Sequence, residues 1–566
     1  METVPLHSTP LDFVPEGSGL QHEMALAAQA EVNAQAEERD QTVGNLGERA
    51  GKGVSWTLLG TLFIQVLGLT RTAALARLLS QSDFGVAAMA ITVLTALYTL
   101  TNTGVVGSVI AEPFQTKKQL HDYTNTVWTM EIARGGVVSL LLALMSLPVA
   151  HFYREPRLTP ILIAFALTPI FTSLGNIGLA LQTRRMEFNR TALNGMTTGA
   201  IQVALTIALA WWTRNYWALV WGQVIGSGLG CGFSYFFSSY RPRLNFNREY
   251  VRRAFNFGKH IFVIGMANYV LTVVDNVIVG RVLGATALGI YVIAYAFCNL
   301  PSGLINGIFN SILFPMFANV GRDEDSNRTN IILERAVALA CTALLTILTP
   351  LVALSPAIVR LIYGTKWTLA IGPMRILLLS GLFASLLILL STFLVGTNRP
   401  QVESRAKIFD AIVFLIVIYP LALWLGIIGA ALGSCVTALI SLLYRWYRIN
   451  QIAPAACRRL PWLMGSTLLC FGGISGAIIL AGEIIGNNFQ ISAAQLFRSL
   501  LFQSLPSLGA AWLQLILGLP LVALLSLGSF VLVQPMARGE VVIALGKARA
   551  FWAARGGRGA RGAGRA

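Results

Sequence analysis

The sequence predicts an all-α polytopic membrane protein with about fourteen transmembrane helices, arranged as two pseudo-symmetric six-helix bundles plus two extra helices. Three observations carry this. Apolar residues make up 55% of the 566 residues and charged residues 12%, where a soluble domain carries about 25% charged residues. The mean hydropathy is +0.65. The apolar runs are long enough for helices that cross a bilayer, which need about 20 residues. They lack the period-two segments of about ten residues that build an outer-membrane barrel. Soluble, disordered, collagen-like and disulfide-scaffold classes are excluded.

Taken in order, residues 1–50 hold nine acids against Arg39 and Arg49 and read as a disordered cytoplasmic tail. The predicted spans are 54–77, 84–110, 124–150, 158–181, 191–212, 217–238, 258–281, 286–314, 331–355, 372–396, 404–426, 428–449, 461–483 and 508–533. They divide into one six-helix bundle over 51–240, a second over 241–450, and two extra helices within 451–535. Residues 536–566 form a basic Gly/Arg-rich tail. Placing both termini in the cytoplasm puts thirty Lys and Arg on the inner side and nine outside, the bias expected of an inner-membrane protein. Basic inner loops against anionic headgroups account for the net charge of +17, so membrane lipids are expected partners and nucleic acid is not.

The halves carry a repeat. The segment Arg77-Leu-Leu-Ser-Gln-Ser-Asp-Phe-Gly85 returns as Arg281-Val-Leu-Gly-Ala-Thr-Ala-Leu-Gly289. Six spans separate the copies, so the halves insert the same way up. Carriers built from such repeats place the substrate site between them.

The pattern G-x-x-W-x-x-L…R-L-L-S-x-x-D-F-G from Gly53 to Gly85 resembles the opening of Wzx-type polysaccharide flippases. So does F-N-F-G…D-N-V-I-V-G-R-x-L-G-x-x-x-L-G-x-Y from Phe255 to Tyr291. These belong to the multidrug/oligosaccharidyl-lipid/polysaccharide superfamily, and the exopolysaccharide and colanic-acid branch fits best over about residues 50–450. The resemblance implies translocation of an undecaprenyl-diphosphate-linked oligosaccharide repeat unit by alternating access. It also implies a polysaccharide polymerase and chain-length proteins as candidate partners. Leu67 to Arg71 further resembles the first helix of lipid II flippases, in which an arginine at the matching position lines a cationic cavity. There an acid follows the arginine; here Thr72 does.

Ionisable groups inside spans usually face a cavity or a partner. Arg71 leads the substrate-binding candidates, because guanidinium grips a diphosphate through forked hydrogen bonds. The bland alternative is an arginine neutralised structurally. Asp275 sits at the repeat-equivalent position, so the two charges are expected to face each other. Asp275 then serves either as a salt-bridge partner or as the binder of a coupling ion, H+ or Na+. Asn268 shares the Asp275 helix face at a spacing of seven. Arg134, Glu131, Asn268 and Asp410 complete the candidates for a substrate-binding central cavity. Glu131 and Arg134, three apart, either neutralise each other as a structural pair or line that cavity. Asp410 either pairs with Lys407, three residues away near a helix start, or faces the cavity. Arg77, Asp83 and Arg281 mark bundle ends and serve either as helix caps or in gating. Trp211, Trp212, Trp217 and Trp221 are expected to form an interfacial belt.

No resident cofactor and no metal is expected, and no nucleotide-binding loop, zinc motif or nucleophile elbow occurs in the sequence. The chain reads as a transporter rather than an enzyme. The alternatives are a multidrug/cation antiporter of the same superfamily and a membrane polymerase or glycosyltransferase.

Overall fold

The structure is a computed structural model that describes residues 59–102, 104–185, 187–308, 313–320, 326–451, 454–484, 520 and 522–524. Both expected tails and nearly all of the last predicted span lie outside these residues. The described residues are helical and contain no strand.

Helix α1 spans Leu59–Leu78. A new helix then starts because Ser80, with extended backbone, caps α2 (Gln81–Thr101). The Asp83 backbone N–H donates to the Ser80 hydroxyl, and the Asp83 carboxylate accepts from the Ser80 backbone N–H at 3.1 Å. This closes a capping box. The expectation that Asp83 itself caps the helix is thereby refined, since Ser80 is the cap and Asp83 its reciprocal partner. The predicted span 84–110 breaks at Asn102. There the Asn102 side chain accepts from the Gly104 N–H at 2.9 Å, and α3 (Val105–Ala111) follows.

Helix α4 (Lys117–Tyr153) has 37 residues, about 55 Å at 1.5 Å per residue, so it projects beyond the hydrocarbon. The predicted span 158–181 is broken into α5 (Leu158–Phe165), α6 (Leu167–Ser173) and α7 (Gly178–Arg184), bent by 51° between α6 and α7. Helices α8 (Phe188–Thr213) and α9 (Trp217–Phe237) complete the first half.

Two long helical runs are hairpins. Within α10 (Arg248–Ile308) Gly284 has φ +85°, and within α15 (Pro400–Asn450) Gly426 has φ +62°. Only glycine adopts such backbone without strain. Contacts on either side pair residues about each glycine: Gly280 lies against Leu288, four residues to each side of Gly284, and Gly433 against Ile418, seven residues after and eight before Gly426. Each run therefore folds back on itself, as the predicted span boundaries near 281–286 and 426–428 require. Between them lie α11 (Phe314–Val320), α12 (Ser326–Ala353), α13 (Ser355–Ile358), a π-helical turn Val359–Tyr363, a 3-10 turn Thr365–Ala370 and α14 (Ile371–Gly396); α16 (Pro454–Ile484) follows α15. Eight described helices are long and apolar enough to cross a membrane, or nine with the bent pair. Two of the eight are the hairpin runs. The last predicted span, 508–533, falls mostly outside the described residues.

The repeat becomes geometry where α2 meets the second arm of α10. A Cβ on Gly85 would lie 1.7 Å from the Ala285 carbonyl oxygen, and one on Gly289 would lie 2.0 Å from that of Gln81. Positions 85 and 289 are repeat equivalents, as are 81 and 285, so the contact is reciprocal about a pseudo-two-fold axis. Small residues let the backbones touch. Outside the core, Trp212 and Trp424 are more than four-fifths exposed, the surface expected to meet lipid. Trp217 stacks on Trp221 with ring centroids 6.3 Å apart.

Candidate functional site

Arg71 lies on α1, half-buried. Its helix is apolar for most of its length, so a guanidinium here needs a cavity or a counter-charge. Among the described residues no carboxylate pairs with it. The expected partner has turned elsewhere. Asp275 is 2% exposed and accepts from Tyr291 Oη at 3.0 Å and from the Asn276 N–H at 2.8 Å. Tyr291 in turn stacks on Tyr295. All of these groups belong to the second half. Repeat-equivalent residues meet only where their helices lie on the pseudo-two-fold axis, as Gly85 and Gly289 do; Arg71 and Asp275 do not meet. Asn268 falls on the same arm of α10, and its side chain lies outside the described residues.

Glu131 and Arg134 pair as the spacing predicts, with Arg134 Nε and Nη2 donating to Glu131 Oε2 at 3.0 and 2.5 Å. The break between α2 and α3 borders an open hollow of about 440 Å³ beside them, lined also by Tyr98, Thr99, Asn102 and Gly104. The guanidinium lies 5.9 Å from the centre of the Tyr98 ring. Hydroxyl, amide and paired charges thus converge on one hollow whose wall is a broken helix.

Asp410 does not pair with Lys407. It belongs to a buried knot with Glu403 and Arg445, whose exposures are 4%, 7% and 1%. Arg445 Nε and Nη2 donate to Glu403 Oε2 and Oε1 at 3.1 and 2.9 Å, and Nη1 donates to Asp410 Oδ1 at 3.0 Å. The Ser391 hydroxyl donates to Glu403 Oε1 at 2.8 Å. The reversal at Gly426 brings residue 445 alongside 403 and 410, one arm against the other. Such a saturated fork clamps the two arms of α15 together. Arg445 falls inside the predicted span 428–449, and that position is the signal the sequence offers.

The bundle-end residues separate. Arg77 donates from Nε to the Ile362 carbonyl at 3.1 Å. Arg281 lies over the Phe152 ring, 5.5 Å from its centre. Nearby, Arg157 forks onto Glu155 at 2.7 and 2.9 Å and reaches Ser82 at 2.8 Å. That hydrogen-bonded fork holds the Glu155 carboxyl below the usual carboxylate range. Lys366 and Trp367, which the sequence did not single out, also bond across the halves. Their acceptors are main-chain carbonyls, which leave no residue pattern to read.

Residues 74–372 match the polysaccharide biosynthesis protein family. The lipopolysaccharide biosynthesis protein WzxC of Escherichia coli is 25% identical over 411 residues, covering 71% of this chain and 81% of its own. The succinoglycan biosynthesis transport protein ExoT of Rhizobium meliloti is 24% identical over 329 residues, covering 58% and 65%. Among solved structures, the lipid II flippase MurJ in an inward closed conformation superposes with a TM-score of 0.60 at 16% identity, covering 78% of this chain and 99% of that one. An inward-facing multidrug resistance MATE family transporter of the MOP superfamily gives 0.54 at 14% identity, covering 70% and 98%. The two structures share the fold of this chain. The family match takes in α2, the broken helix beside Arg134, the α10 hairpin and the turns at 359–370, which is more than half of the sequence, and the chain belongs to the polysaccharide biosynthesis protein family.

Proposed function

We propose that this protein carries an undecaprenyl-diphosphate-linked oligosaccharide repeat unit across the bacterial inner membrane by alternating access, for surface polysaccharide assembly. Both termini lie in the cytoplasm in this reading, and 51–240 and 241–450 act as the two moving bundles. The family supports the pathway, and the relative named as a transport protein supports a carrier over a glycosyltransferase or polymerase. The observation that carries the mechanism is Arg71, a half-buried cation with no described carboxylate beside it. A guanidinium so placed is free to fork onto a diphosphate. The hollow beside Glu131 and Arg134 supplies hydroxyl and amide groups suited to sugar hydroxyls. Asp275, buried with hydroxyl and amide partners, is the candidate seat for a coupling H+ or Na+. A polymerase and chain-length proteins would take the product on the far side.

The test is a clean deletion. Surface polymer should vanish while lipid-linked repeat units accumulate on the cytoplasmic leaflet, measured by accessibility to a membrane-impermeant reagent. Normal polymer export without the protein, in a strain lacking a paralogue, overturns the reading.

A further inference from the structure

On the face that carries residues 76–84 and 361–367, the two halves are stitched through main-chain carbonyls. Helix α1 ends at Leu78, and the carbonyls of its last turn have no helical N–H to accept from. The second half supplies the missing donors. Trp367 Nε1 donates to the Ala76 carbonyl at 2.8 Å, and Lys366 Nζ to those of Arg77 and Leu79 at 3.2 and 2.6 Å. The exchange runs both ways. Arg77 donates to the Ile362 carbonyl at 3.1 Å and also to that of Leu361, and Gln81 Nε2 donates to the Lys366 carbonyl. Beneath them the buried Trp367 ring meets Phe84 edge-on at 5.3 Å.

Every donor in this seam is a side chain of one half and every acceptor a main-chain oxygen of the other. Among the described residues, neither Arg77 nor Lys366 forms an ion pair. Cations held by carbonyls rather than by carboxylates exchange those partners for water at small cost, because both groups are well solvated once exposed. A knot such as Glu403–Asp410–Arg445 cannot do this, since parting it strands buried charge. The seam therefore has the strength of a catch that opens, and the Gly85–Gly289 contact beside it has the closeness of a pivot.

We propose that Lys366, Trp367 and Arg77 form the latch that holds this face closed, and that each transport cycle releases it. The inference rests on the carrier reading above, and the latch is expected on the extracytoplasmic side.

Thr72 shares a face of α1 with Ala76, one turn below the latch. A Thr72→Cys reporter, in a chain with its native cysteines replaced, is labelled with an impermeant maleimide in right-side-out and inside-out vesicles. Lys366→Met should raise the labelling rate about tenfold from one side only. Trp367→Phe keeps an aromatic ring but loses the indole N–H together with part of the buried ring volume, and should raise it about threefold. Thr213→Ala, on a remote loop end, should leave it unchanged. An unchanged rate from both sides in the Arg77→Met/Lys366→Met double variant overturns the latch, as does an equal rise in Thr213→Ala. Labelling needs no cargo, so these outcomes stand even if the proposed cargo is wrong. In cells, a Gln81→Cys/Lys366→Cys variant joined by a short bis-methanethiosulfonate should stop polymer export, and reductant should restore it. Full export through the cross-linked protein also overturns the proposal.

Discussion

Arg71 and Arg445 are both arginines within apolar helices, and the structure treats them in opposite ways. Arg445 is 1% exposed and spends its forked donors on two carboxylates. Arg71 is half-buried and has no such partner among the described residues. Burial alone therefore does not mark a site. A guanidinium whose hydrogen bonds are saturated by its own hairpin is structural. One whose donors are unspent is available to an anion from outside. The contrast also says where damage should appear, in folding for one arginine and in transport for the other.

The harshest way to break the comparison is Arg445→Met. Glu403 and Asp410 would be left buried without a cation, at a cost of about 3–5 kcal/mol. The expected result is loss of the folded peak in detergent size-exclusion and a large fall in melting temperature, partly recovered by adding Glu403→Gln and Asp410→Asn. Unchanged stability in Arg445→Met would mean the knot is not structural. Arg71→Ala should do the reverse. Export at matched membrane abundance should fall about 30-fold or more, the worth of a charge-assisted hydrogen bond, with the melting temperature nearly unmoved. Full export would remove Arg71 from the mechanism. Arg71→Lys sharpens the point: it keeps the charge and loses the fork, so export should settle about tenfold below the parent rate. An Arg71→Lys rate equal to that of Arg71→Ala would mean charge alone contributes nothing. The smallest effect belongs to Lys407→Ala. Because Asp410 bonds Arg445 and not Lys407, stability should move by no more than about 0.5 kcal/mol. A loss of several kcal/mol would restore the pairing that spacing alone suggested.

These cases show what the residue pattern could and could not carry. Hairpin reversals were legible because the apolar runs on either side of 284 and 426 are together too long for one crossing; the positive-φ glycines that make the turns came from the structure. The pairing of Glu131 with Arg134 was legible because helical spacing of three brings side chains together. The Ser80–Asp83 box could have been read from its S-x-x-D spacing. The partner of Asp410 was not legible from local spacing, since 35 residues and a chain reversal separate it from Arg445. Asp275 was placed opposite Arg71 by arithmetic on the repeat. That arithmetic gives equivalence, and equivalence becomes contact only on the symmetry axis. The latch was invisible because carbonyl acceptors are present at every residue.

The touching backbones at Gly85 and Gly289 bear on electrical leakage. A membrane that stores a proton gradient tolerates few continuous threads of water, and a single water needs a gap about 2.8 Å wide. Where a built Cβ would fall within 2.0 Å of the opposing carbonyl oxygens, no such thread passes along that line. A side chain at position 85 or 289 would wedge α2 from the second arm of α10 and leave a crevice beside itself. Substitution at these glycines should therefore appear first as proton conductance across the membrane, before any loss of cargo.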